Sequence, residues 1–169
     1  MFRFVLILLL APFFCFANSA PFGLEIGRMR IEEFKEKYQV QALGTHRWGQ
    51  GEMFSLSTKT INFEGLNKIH VIFDQNEIMV AVLTELDKSK FDSVLNLLNS
   101  KYRLIEKKIP FVGTKSAIFS DDCVQIELIS EHLSFQMTMN YISKDFLKSC
   151  KEQYAKEVEE TKQAESSQL

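Results

Sequence analysis

Ile69-His70-Val71-Ile72-Phe73-Asp74-Gln75-Asn76-Glu77-Ile78-Met79-Val80-Ala81-Val82-Leu83 decides the fold. Two short apolar runs flank a cluster of polar turn formers, the pattern of two antiparallel strands joined by a tight hairpin. Upstream, residues 53–56 and 60–63 read as further short strands, with Glu64-Gly65 and Asn67 as turn residues between 60–63 and the strand at Ile69. Before them, Ile31, Phe34 and Tyr38 recur at i, i+3 and i+7 with charges between, which predicts one amphipathic helix of about ten residues. A loop over residues 44–51 follows it. The unit is a helix and then an antiparallel meander.

The same order repeats downstream. Asp87 or Ser89 can cap a helix whose apolar stripe is Phe91, Val94, Leu95, Leu98 and Tyr102. A loop with Pro110 and Gly113 comes next, then strands over residues 115–119, 123–129 and 133–141. In the last of these, Leu133, Phe135, Met137, Met139 and Tyr141 alternate with Ser134, Gln136, Thr138 and Asn140. That predicts one buried and one wet face. Lys37-Tyr38 closes the first helix as Lys101-Tyr102 closes the second. A third helix, 143–160, carries Phe146, Leu147, Cys150, Tyr154 and Val158 on one stripe, read as core packing. Residues 161–169 offer nothing to bury and read as a disordered tail. The expected class is α+β: tandem helix-plus-antiparallel-meander units forming a sheet packed against helices, with a C-terminal helix. It is one domain, 18–160, with halves of about 24–84 and 85–142.

Residues 1–17 read as a secretory signal peptide: Arg3, an apolar run over residues 5–10, Pro12, and small residues ending at Ala17. Cleavage after Ala17 is favoured, and Ser19 offers a second point. Cys15 is an alternative lipidation point, but that chemistry usually needs a small residue just before the cysteine, and Phe14 is not small. No second apolar segment of about 18 residues follows, so no transmembrane span is expected after the signal is removed. The expected location is periplasmic or secreted. The remaining chain, of about 150 residues, is long enough for one real core. The net charge of −2 becomes slightly more negative when Arg3 is lost. That balance gives no basic stripe for nucleic acid and no polybasic membrane patch. Two cysteines remain, Cys123 and Cys150, and an even count in an exported chain favours a disulfide between them. The alternative is two thiols in a strand and a helix that never meet.

Ile26-Gly27-Arg28-Met29-Arg30-Ile31-Glu32-Glu33-Phe34 resembles the opening of small bacterial envelope modules, in which a strand end, a glycine and a G-M-T-x-E-E-V-like run start the first helix. With the repeated helix-then-meander order, the mature chain resembles the β-lactamase-inhibitor-protein-like group, which includes small outer-membrane assembly lipoproteins and secreted inhibitors. Arg30 stands where that pattern has a capping Thr or Ser. The resemblance implies an α+β fold whose sheet face or loops bind another protein, and it assigns no residue a role.

Chemistry-bearing motifs are absent from the sequence. His46, His70 and His132 have no ligand spacing, and there is no phosphate loop, dinucleotide fingerprint or nucleophile elbow. No catalytic residue, metal or cofactor is expected, and Asp121-Asp122 reads as a turn. The binding candidates lie in Gly44-Thr45-His46-Arg47-Trp48-Gly49-Gln50-Gly51, which holds the only tryptophan. Trp and Arg are enriched at binding hot spots, so His46, Arg47 and Trp48 are candidates, although a loop tryptophan can equally plug the core under the first helix. Phe111-Val112-Gly113 occupies the corresponding place in the second half, so Phe111 joins them, and the two loops are expected to flank one face.

The expected function is an exported, non-catalytic binding protein: an inhibitor, accessory or assembly factor whose partner is another envelope or secreted protein. One alternative is a carrier of a small apolar ligand, marked by a closed apolar cavity between sheet and helices. Another is a hydrolase without a recognisable motif, using His46 with Glu52 or Asp122.

Overall fold

The computed structural model describes residues 19–47 and 51–166. The expected signal peptide and Trp48 lie outside the described residues. Helix α1 (Ile31–Lys37) precedes β1 (Val40–Thr45), β2 (Glu52–Leu56), β3 (Leu66–Phe73) and β4 (Met79–Asp87). Helix α2 (Phe91–Lys101) precedes β5 (Arg103–Lys108), β6 (Lys115–Ser120), β7 (Val124–Ser130) and β8 (Gln136–Ser143), and α3 (Lys144–Ser166) follows. The strands form one eight-stranded antiparallel sheet in the order β1-β2-β3-β4-β8-β7-β6-β5. The α+β tandem is therefore present: each half is a helix and a four-stranded meander, and the halves join at β4–β8. Each meander runs from an edge strand to the centre, so an approximate twofold axis passes through the sheet between β4 and β8.

Local sequence explains each element. In α1, Ile31 and Phe34 bury one face. Glu32 and Glu33 occupy its first turn and Lys35 and Lys37 its last, the signs that favour the helix dipole. In α2, Phe91, Val94, Leu95 and Leu98 are buried. A 3-10 turn, Lys88–Lys90, leads into α2, and neither Asp87 nor Ser89 caps it; Asp87 instead accepts the Asn67 side-chain amide at 2.8 Å. The β3–β4 turn is closed by Asp74, whose Oδ1 accepts the Asn76 and Ile78 N–H groups, each at 2.9 Å. Glu77 completes that turn at φ 63°.

Both helices cover the same face of the sheet. Phe34 lies 5.3 Å from the Phe73 ring and 5.9 Å from the Phe54 ring, centroid to centroid. The core continues without a break through Val82, Met139, Tyr141, Ile126 and Phe119 to the α2 stripe. Buried Thr84 satisfies its hydroxyl by donating to the Met139 carbonyl.

Several expectations are corrected. The loops after each helix contain strands: β1 and β5 are the sheet edges, nearly every residue exposed, so neither shows the alternation that reveals a half-buried strand. Both carry a register shift, at Ala42/Gly44 and at Leu104/Glu106, which blunts an edge against further pairing. Residues 60–63 are not a strand; Thr60 ends a 3-10 turn, Thr58–Thr60, and Ile61 and Phe63 beyond it lie against the core. The last strand begins only at Gln136, which leaves Leu133 and Phe135 in the β7–β8 turn, exposed rather than buried.

The C-terminal helix also differs from its reading. It extends through Ser166 and buries none of its residues fully. Phe146 alone of its apolar stripe joins a small cluster with Ile72, Val80 and Ala81 on the sheet's other face, and Tyr154 is exposed. Cys150 is a free thiol, so the Cys123–Cys150 bridge is not formed. The Lys144 N–H donates to the Cys123 carbonyl at 2.9 Å, which sets Cys123 against the start of α3. Cys150 sits six residues on, about 9 Å from Lys144 along the helix axis. Burial pushes the Cys150 thiol up from its ordinary value.

Candidate functional site

Because α1 and α2 share one face of the sheet, the opposite face is left to solvent over most of its width. Its central row runs straight across six strands: Ser55 opposite His70, His70 opposite Leu83, Leu83 opposite Asn140, Asn140 opposite Glu127, and Glu127 opposite Ile118. All six are half-exposed. On one side of the row, Lys68 and Glu85 pair at 2.6 Å. On the other, Met53, Ile72, Ala81 and Ile142 continue the apolar content towards Phe146. Within the row itself, Glu127 is held by the Gln125 amide at 2.7 Å. Burial lowers the His70 pKa, with the Lys68 charge adding to the effect and Glu85 opposing it. His70 is therefore neutral near pH 7, and the face reads as a mixed apolar and hydrogen-bonding surface without strong net charge.

The expected site residues divide between the two ends of the sheet. His46 and Arg47 lie in the β1–β2 turn, under α3: the His46 ring is 5.6 Å from the Phe146 ring, and Arg47 pairs with Glu157 at 2.9 Å. This turn is used to seat α3. Burial lowers the His46 pKa. Phe111 lies at the tip of the β5–β6 turn, at the opposite end of the sheet and beyond the opposite edge strand. The two loops therefore do not flank one face: the twofold relation that makes them equivalent also sends them to diagonal corners.

The hydrolase pairing is not assembled. Glu52 turns to Lys35 of α1, 3.4 Å away on the helical side of the sheet, whereas His46 meets α3 on the other side. Asp122 lies at the start of α3, where its carbonyl accepts from the Lys144 ammonium at 3.0 Å. Arg47, beside His46, is reached only at Glu157, about 20 Å further along the helix. Asp121 serves its turn by accepting the Cys123 N–H at 3.2 Å.

Neither protein-family models nor curated proteins nor solved structures give a match to this chain. Among the described residues, no three His, Cys, Asp or Glu side chains converge as a metal site would require, and no helix is long and apolar enough to cross a membrane.

An apolar recess of about 210 Å³ lies between α2 and the sheet, lined by Phe22, Phe63, Leu98, Tyr102 and Tyr141 among others. It falls below the roughly 300–1,000 Å³ of ordinary ligand pockets. Burial and the neighbouring Tyr102 push the Tyr141 phenol far up, so it stays protonated there. A groove of about 450 Å³ runs between the β3–β4 turn and α3, past Asp74, Asn76, Phe146 and Gln153. The sequence did not announce the open face, because its residues look like the ordinary wet side of each strand taken singly. Only the strand order makes them one surface.

Proposed function

We propose that this chain is an exported, non-catalytic binding protein of the bacterial envelope or secretome that acts by protein–protein contact, as an inhibitor, accessory or assembly factor. The observation that carries the reading is the open sheet face, six strands of half-exposed and mostly uncharged side chains on a rigid support. Sites built on strands hold their geometry better than sites on loops, and an exposed apolar-polar mixture of that breadth suits a partner surface. The signal-like residues 1–17 and the resemblance to the β-lactamase-inhibitor-protein-like group support the same reading.

The test is a photo-crosslinker placed at Asn140, in the middle of the face, compared with one at Asp92, on the exposed side of α2. In cells exporting the protein, a discrete adduct from Asn140 alone is expected, and Leu83→Asp should abolish it while the protein stays folded. Equal adducts from both positions, or none from Asn140, would sink the proposal.

A further inference from the structure

At the end of the sheet away from α3, two turns leave neighbouring strands. Lys115 of β6 is opposite Ser130 of β7, so the β5–β6 and β7–β8 turns emerge side by side. Their tips carry Phe111 at 106% relative exposure, Val112 at 67%, Leu133 at 92% and Phe135 at 94%. Single exposed apolar residues are ordinary on protein surfaces. Four on adjacent turns, two of them phenylalanines with almost no protein contact, are a feature.

Both turns are built to hold that display. Pro110 fixes one backbone angle ahead of Phe111, and Gly113 at φ 122° turns the chain back behind Val112. The second turn is pinned from inside by Lys88. Its ammonium donates to the carbonyl oxygens of Glu131 at 2.6 Å, His132 at 2.9 Å and Ser134 at 3.1 Å. Its backbone N–H donates to the Phe135 carbonyl at 3.0 Å. A charged side chain is committed to fixing a turn that presents Leu133 and Phe135 outward.

The charges around the tips have one dominant sign. Lys107 and Lys108 precede the first tip and Lys115 follows it. Lys108 is balanced by Glu106 at 2.6 Å, and Lys115 lies 5.5 Å over the Phe91 ring. Lys107 is exposed and makes no ion pair among the described residues. On a chain whose net charge is −2, this corner is locally cationic, with Glu131 the acid beside the second tip. The sequence shows no polybasic run; folding places separate lysines around the apolar tips.

We propose that this corner docks the protein on an anionic phospholipid surface, with Phe111, Val112, Leu133 and Phe135 entering the interface and Lys107, Lys108 and Lys115 meeting the headgroups. The shape favours a bilayer over a protein partner. The tips protrude, and a partner would have to supply two matching pockets. A bilayer interface accepts any apolar side chain that reaches about 5–10 Å into it, and flanking lysines strengthen the contact when the lipid is anionic. This surface is separate from the sheet face, so either proposal can fail alone.

The experiment is co-sedimentation of the mature protein with vesicles of equal parts phosphatidylcholine and phosphatidylserine, beside vesicles of phosphatidylcholine alone. The protein should partition onto the anionic vesicles, less at high salt. Phe111→Ser and Phe135→Ser should each weaken partition by about tenfold or more, and Lys107→Gln by about fivefold. Residues this exposed contribute little to folding, so thermal melts of the variants should match the parent. If a variant does unfold, Val112→Ser and Leu133→Ser provide the same reading at independent positions. A protein that stays in the supernatant, or serine variants that bind as well as the parent, overturns the proposal. So does equal partition onto both vesicles, or a self-association that the serine variants dissolve without any vesicle binding.

Discussion

Gly51 and Gly44 flank the same hairpin for different physical reasons. A Cβ on Gly51 would stand 1.9 Å from the Phe73 carbonyl oxygen and 2.8 Å from the Asp74 carbonyl carbon, backbone atoms that cannot swing aside. A Cβ on Gly44 would meet nothing within 4 Å, but its φ of +98° is one that side chains rarely adopt. Gly44→Ala therefore costs only backbone strain, about 1–2 kcal/mol. Gly51→Ala forces two strands apart and should cost about 3 kcal/mol. Urea unfolding of the two variants separates these causes, and equal midpoints would disprove the close approach at Gly51. From the sequence both glycines read alike, as freedom in a loop. The steric need at Gly51 comes from the end of β3, more than twenty residues away, whose close approach to this loop the sequence does not show.

Among the elements, α3 is the one held by least. It buries no residue fully, and beyond the Lys144 hydrogen bonds at its start its seat on the far end of the sheet includes the Phe146 contact and the Arg47–Glu157 pair. An exposed ion pair stabilises by at most about 1 kcal/mol, while removing a large apolar side chain from a cluster costs more. Phe146→Ala should therefore raise amide hydrogen exchange along α3 by tenfold or more, with β4 and β8 unaffected, and Arg47→Ala should leave exchange nearly unchanged. The reverse ranking would mean that charge, not the aromatic contact, seats the helix. The same burial logic explains which elements were legible. The central strands β3, β4 and β7 announce themselves because one or both faces are buried, and α2 because four of its residues are. The edges β1 and β5 face water on nearly every residue, so no periodicity marks them. Leu133 and Phe135 continue the alternation of β8 past the point where the ladder stops, and α3 shows a stripe with little to cover. Periodicity records where apolar side chains recur; it does not record whether a neighbour is present to bury them.

At the scale of the whole molecule, the twofold relation accounts for the division of labour between the two ends. Equivalent turns fall at diagonal corners, so one end seats α3 while the other presents the aromatic tips. The β6–β7 turn gathers the chain at the α3 end. Asp121 accepts the Ser19 hydroxyl at 2.6 Å across a separation of 102 residues, and the Lys144 ammonium donates to the Asp121 and Asp122 carbonyls beside it. Ser19 is fully buried in that contact. The sequence left two cleavage points open, and this geometry distinguishes them: cutting after Ala17 keeps the bond, whereas cutting after Ser19 removes it. On the proposed export, the processed chain is predicted to begin at Asn18, and Ser19→Ala should lower its stability by about 1–3 kcal/mol, the range for losing a hydrogen bond to a carboxylate. Intact mass of the chain recovered from the periplasm or the medium and urea unfolding of the variant check the two halves of this expectation. A first residue of Ala20 would show that the contact is absent from the working protein. Stability unchanged by the serine substitution would show that the N-terminus is laid on the second half without anchoring it.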